Sequence, residues 1–269
     1  MALWDKIASR GHVEDKRSMI PAAGGIGVTG LALYLLFNVL TGGEISAPDV
    51  LNQLNELQSP QQVNTDTSAF QGKDEYEEFA STVLGSNNDM WKKNFPDYVP
   101  PKLVLFRTAT SSSCGTATSE VGPHYCPLDQ TIYLDETFFD ELTARFGAQG
   151  GDVAEAYVIA HEVGHHTQNI TGVMDDLPQT NDASIKLELQ ADCYAGLWAH
   201  SIRDLQVFEN GEINEAIDAA GAVGDDRIQE KVSGYINPES WTHGSSEQRK
   251  SWFNKGFESG SVTTCNTFN

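Results

Sequence analysis

The longest break in the mixed hydrophobic and polar pattern is Met19 to Leu40, 22 residues without a charge. As a helix this run would reach about 33 Å, enough for the ~30 Å hydrocarbon core of a bilayer. Gly24, Gly25, Gly27 and Gly30 fall in its first half, but glycine is common in membrane helices. The run has no polar face, which argues against a core helix. Ile45-Ser46-Ala47 makes a poor signal-cleavage site because Ile45 is large. The pattern therefore predicts an uncleaved transmembrane anchor over 19–40. A polar segment (1–18) precedes it, and a Gly/Ser/Pro/Asn/Gln-rich linker (41–72) leads to a folded domain over 73–269. Lys6, Arg10, Lys16 and Arg17 lie before the run, and the next basic residue is Lys73. The positive-inside rule then predicts a single-pass membrane protein in contact with lipid through 19–40, its N-terminus cytoplasmic and its domain periplasmic or cell-surface.

Beyond the linker, the periodicity changes from element to element. Tyr76, Phe79, Ala80 and Val83 predict a helix over 75–84. Strands are expected at 102–108, after Pro100-Pro101, and at 131–134, with a helix opening behind Asp135-Glu136. Asp152 is the expected N-cap of a helix running to about Thr171 and closing at Gly172. A further helix starts at Asn181 or Asp182 and continues to about Arg203. Shorter helical pieces follow at 214–222, 225–232 and 246–257. This mixture predicts an α+β domain.

One of these helices carries chemistry. His161-Glu162-x-x-His165 sits in an apolar setting, Ala156 to Ala160 before it and Val163-Gly164 within it. At 3.6 residues per turn the two imidazoles lie about 40° apart on one face, so both can reach one ion. Glu162 lies about 100° round from His161, well placed beside a water on the metal as a general base. Buried ionisable groups are costly unless paired or metal-bound, so the pattern points to zinc, one ion per chain. The continuation to a third histidine fails, since Gln168 and Thr171 stand where Gly and His are required. Glu188 and Asp192, one turn apart on the next helix, supply the alternative. Glu188 would be the third ligand, and Asp192 would accept the free N–H of a ligand histidine, His161 by preference. Ala191, Ala195, Gly196 and Ala199 give that helix a small-residue surface suited to tight packing on another helix. His243, in a loop before a helix, is a candidate for stabilising the oxyanion of a carbonyl under attack; Tyr235 is a weaker one. His166 could equally be a rim or a core histidine, and His124 and His200 read as structural.

Composition narrows the partners. The chain has 38 acids and 17 Lys plus Arg; three acids and four bases precede residue 41, so the remainder holds 35 against 13, a net of −22. Such a surface argues against nucleic acid and anionic lipid headgroups. The four cysteines suit disulfides in an oxidising compartment. Cys114 and Cys126 bracket a Ser/Thr/Gly-rich loop, and joining them leaves Cys193 with Cys265, although spacing does not decide connectivity.

These stretches together resemble the bacterial membrane-anchored neutral zinc metallopeptidases, zincins with a glutamate third ligand. The resemblance lies in Tyr125-Cys126-Pro127 with Tyr133-Leu134-Asp135, Ala160 to His166, Glu188 to Cys193, Gly224 to Arg227 and Thr242-His243-Gly244. It implies a metalloendopeptidase acting on peptides or proteins. It also implies that a strand ahead of the active helix is the edge that pairs with extended substrate, for which 130–134 is the candidate. A tethered binding protein on the same fold, or a non-peptide zinc hydrolase, are the rival readings. The presence of Glu162 disfavours the first, because a structural zinc site does not need that carboxylate.

Overall fold

A computed structural model describes residues 1–18 and 74–268. The predicted anchor (19–40) and the linker (41–72) lie outside the described residues. Among the described residues no helix is long and apolar enough to cross a membrane. The elements, in chain order, are β1 (Val13–Asp15), α1 (Glu75–Asn94), β2 (Lys102–Leu105), β3 (Ala109–Ser112), β4 (Gly115–Thr118), β5 (His124–Cys126), β6 (Thr131–Leu134) and α2 (Phe138–Phe146). There follow α3 (Asp152–Ile170), α4 (Asn181–Ile202), α5 (Ile213–Ala222), α6 (Asp225–Ser233) and α7 (Ser246–Ser259). The architecture is α+β, as the pattern predicts.

The sheet has strand order β1-β2-β6-β5. The first three strands run parallel and β5 is antiparallel to β6. Thr131–Leu134 is buried at every position, which fits an interior strand covered on both faces. The predicted substrate edge at 130–134 is therefore corrected: β6 is flanked on both sides, and the short, more polar β5 is the edge strand beside it. The Ser/Thr-rich loop after β2 is a two-stranded hairpin, β3 with β4. Cys114 at its tip is joined to Cys126 on β5, and Cys193 on α4 to Cys265.

α1 runs ten residues past its predicted end. Ser86-Asn87-Asn88 looks like a break in sequence, but the Ser86 and Asn87 side chains both donate back to Val83 O, and Trp198 Nε1 donates to Ser86 Oγ at 2.8 Å. These bonds satisfy polar groups that would otherwise favour a turn.

The N-terminal segment requires the larger correction. Residues 1–17 form one unit with the folded domain rather than a separate piece. β1 adds a parallel strand to β2, with Val13 opposite Leu103. Ile7 is buried in the main core, and the Trp4 ring stacks on Trp198 at 6.4 Å. Asp152 is the first residue of α3 rather than its cap; its Oδ2 accepts from Ala2 N at 2.8 Å and Trp4 Nε1 at 2.7 Å.

Near the start of α3, burial and the neighbouring carboxylates of Asp152, Glu136 and Asp140 push Glu155 up to about 7. A carboxyl raised in the folded state adds stability below its unfolded value of about 4.5, and that stability is lost as pH rises through 7. Glu155→Gln should therefore raise the melting temperature at pH 8 by about 4–8 °C, from roughly 2 kcal/mol, and change it little at pH 4. Thermal melts at the two pH values check this; an unchanged melt at pH 8 would mean that the buried charge is not a cost.

Candidate active site

α3 and α4 pack face to face, closely enough that a Cβ on Gly164 would meet Ala191 Cα at 3.1 Å. That approach brings the HExxH face of one helix against the Glu188/Asp192 face of the other. His161 Nε2 lies 3.1 Å from His165 Nε2 and 3.2 Å from Glu188 Oε2, while His165 Nε2 lies 3.3 Å from Glu188 Oε1. Three donors at the corners of such a triangle match the edges of a tetrahedron with ~2.0–2.1 Å metal–ligand bonds. A two-imidazole, one-carboxylate set is one that zinc takes. Among the described residues this is the group of three or more His, Cys, Asp and Glu side chains able to hold a metal ion.

The electrostatics favour a cation there. Burial alone would lower the His161 imidazole, but Asp192 and Glu188 outweigh it and hold it up at about 10. His165 is raised in the same way, burial being outweighed by Glu188. For Glu188, burial acts upward, yet His165 and His161 hold the carboxyl well below its usual range.

Each candidate ligand histidine is held from behind. His161 Nδ1 lies 2.9 Å from Asp192 Oδ1, and His165 Nδ1 lies 2.8 Å from Gln168 Oε1. The Asp192 carboxylate and the Gln168 amide oxygen are acceptors, so each Nδ1 is the donor, which leaves each Nε2 lone pair free for a metal ion. Gln168 Nε2 in turn donates to Leu187 O at 2.7 Å. The residue that breaks the three-histidine pattern thus orients the second ligand.

Asp192 is itself the centre of a network. Arg249 Nε donates to Oδ2 at 2.8 Å and Nη2 to Oδ1 at 2.9 Å, a two-pronged pair. Tyr157 O–H donates to Oδ1 at 2.5 Å. Burial acts upward on the Asp192 carboxyl, but Arg249 and His161 hold it low. No pattern marked Arg249, a single arginine on a polar helix whose partners lie 57 and 92 residues away.

His161, Glu162, His165, Glu188 and His243 all line one cleft of about 490 Å³. His243 is placed by Asp225: its Nδ1 lies 3.1 Å from Asp225 Oδ1, and the backbone N–H groups of Thr242, His243 and Gly244 all donate to Asp225 Oδ2. That hydrogen bond to Asp225 raises the His243 imidazole. Tyr235 is 68% exposed and does not line the cleft. His124, on β5, does line it. His200 is structural, bonded to Phe257 O at 2.6 Å. His166 is a core residue with Nε2 2.6 Å from Val99 O and Nδ1 3.0 Å from Tyr125 O–H, so it ties α3 to the edge strand.

An HExxH helix, a glutamate from the following helix and a short sheet with an antiparallel edge beside them make a candidate site for a metal ion. The chain belongs to the family described as "Putative neutral zinc metallopeptidase", which it matches over residues 2–268. It is 40% identical to the uncharacterized protein YpfJ of Escherichia coli K12, over 98% of each chain. It is 44% identical to the uncharacterized protein Rv2575 of Mycobacterium tuberculosis, over 69% of each chain. No solved structure matches the chain.

Proposed function

We propose that the protein is a zinc-dependent endopeptidase, a reading carried by the His161/His165/Glu188 triangle on the floor of a cleft that also holds Glu162. Zinc, when bound, supplies Lewis acidity, polarising the scissile carbonyl and acidifying water. Glu162, beside the two histidines, takes the proton of the attacking water and returns it to the leaving amine. His243, with Nδ1 engaged by Asp225, presents Nε2–H to the cleft and donates to the oxyanion as charge develops there. Asp225 is a positioning residue in this scheme: it sets the tautomer and orientation of His243.

The substrate enters as an extended chain. β5 is the edge of the sheet and its residues His124 and Tyr125 line the cleft, so a peptide can pair with the strand while its carbonyl reaches the metal ligands. Val158, Phe138, Met174, Leu187 and Val223 supply an apolar wall, which favours a hydrophobic side chain next to the cleaved bond. A sheet edge opening on the cleft favours a peptide over a small non-peptide ester or amide.

The test is cleavage of a peptide library by the full chain. Activity should disappear on chelation, return with one equivalent of zinc, and cluster at bonds beside hydrophobic residues. A zinc-loaded, folded protein that cuts no peptide would overturn the proposal.

A further inference from the structure

Behind His165 the hydrogen bonds do not stop at Gln168. Gln168 Nε2 donates to Leu187 O at 2.7 Å and to Gln190 Oε1 at 3.1 Å, and Gln190 Nε2 donates in turn to Cys265 O at 3.1 Å. Gln168 and Cys265 are fully buried and Gln190 nearly so. Two primary amides in an apolar interior are costly unless their donors and acceptors are matched. Here both are matched, and His165 stands at the far end of the relay they form, its Nδ1 2.8 Å from Gln168 Oε1.

This relay has a direction, and the main chain sets it. A backbone carbonyl only accepts. Cys265 O therefore requires the NH2 of Gln190 to face it, which turns Gln190 Oε1 towards Gln168. Leu187 O and that amide oxygen both require the NH2 of Gln168, which turns Gln168 Oε1 towards His165. Reversing either amide would set oxygen against oxygen, at 2.7 Å beside Leu187 and at 3.1 Å beside Cys265. Cys265 lies 75 residues along the chain from Gln190 and is tied to the same helix twice. Its disulfide to Cys193 is one tie, and the bond from Thr267 Oγ1 to Lys186 O at 2.7 Å is the other.

We propose that Gln190 and the Cys265 carbonyl are positioning groups of the metal centre. They fix which end the Gln168 amide presents, and with it the ring nitrogen that His165 turns to an ion. His161 needs no such relay, because both oxygens of the Asp192 carboxylate behind it accept. An amide has two unlike ends, and a second partner must choose between them. The tail after α7 thus belongs to the metal centre, although none of its described residues lines the cleft. The proposal rests on the His161/His165/Glu188 set and not on the peptidase reading, and its test needs no substrate.

Zinc dissociation constants are measured by competition with a chelator in the full chain, for wild type, Gln168→Met, Gln190→Met and the double variant. Gln168→Met removes the direct partner of His165 and should weaken zinc roughly 10–100-fold, and Gln190→Met should weaken it about 10-fold, the lower end of that range. Because Gln190 acts through Gln168, the double variant should bind zinc no more weakly than Gln168→Met alone. In zinc-loaded Gln190→Met the His165 Nδ1–H proton should also exchange with water faster than in wild type, as read by NMR. Should Gln190→Met not fold, Cys193→Ala/Cys265→Ala, which releases the Cys265 carbonyl and keeps both glutamines, carries the same expectation for zinc and for the proton. Unchanged zinc affinity in the variant that folds, or a double variant in which the two losses multiply, would overturn the proposal.

Discussion

Glu162→Gln should leave zinc bound and reduce peptide hydrolysis by about 10²–10⁴-fold, the usual contribution of a positioned general base. The amide keeps the shape of the carboxylate but cannot take a proton from water. Glu162 is not one of the three clustered ligand side chains, so metal content should stay at one per chain. The loss should fall on kcat, because substrate contacts on β5 and the apolar wall are untouched. Zinc titration, a thermal melt and steady-state cleavage of one library-derived peptide make the comparison. Equal rates in the two proteins, at equal zinc, would remove Glu162 from the chemistry.

Asp192→Ala should be the most damaging change to the fold around the site. It leaves Arg249 buried, 3% exposed, without the carboxylate that holds both its prongs, at a cost of about 3–5 kcal/mol. It also frees His161 Nδ1 from its acceptor, which should weaken zinc binding roughly 10–100-fold. The two effects can be separated. In Asp192→Asn/Arg249→Met both charges are gone, so much of the stability should return, as it does when a buried pair is replaced by neutral groups of similar size. Zinc affinity should stay low, because the strong acceptor behind His161 is still missing. Recovery of both together would mean that Asp192 acts on the metal only through the stability of the helices.

The parts of this site that were legible in sequence are those that one helix brings together. His161, Glu162 and His165 share a turn and a half, and Glu188 and Asp192 share one turn, so helical geometry alone places them. Their meeting depends on α3 packing against α4, for which the small residues of α4 were the only sign. Arg249 and Asp225 were not legible in their roles, because their partners come from distant elements and a lone arginine or aspartate on a polar helix has no pattern of its own. The edge strand was misplaced for a related reason. Apolar Thr131–Leu134 looks more strand-like than His124–Cys126, and it is so because it is interior; the strand that faces the cleft is the weaker signal. The N-terminal segment was set apart from the domain it packs against. The three residues of β1, Val13-Glu14-Asp15, are too few to carry a periodicity, and the charges around them fit a membrane-flanking rule as well as a salt-bridged fold.

The contact between α4 and α7 has a further consequence. A Cβ on Gly196 would fall 2.0 Å from Phe253 O, and one on Gly256 would fall 2.0 Å from Cys193 O. At this crossing main chain touches main chain, so no rotamer change can open or close the gap. Glu188 and Asp192 sit on one helix and Arg249 on the other, which means that the working distances of the site are gauged from the backbone. Substitutions on the outer faces of the two helices can accumulate without altering that gauge. The two glycines behave instead as one inherited dimension: a side chain at either forces the helices apart, and a compensating change would have to come from the opposite main chain, which has nothing left to remove.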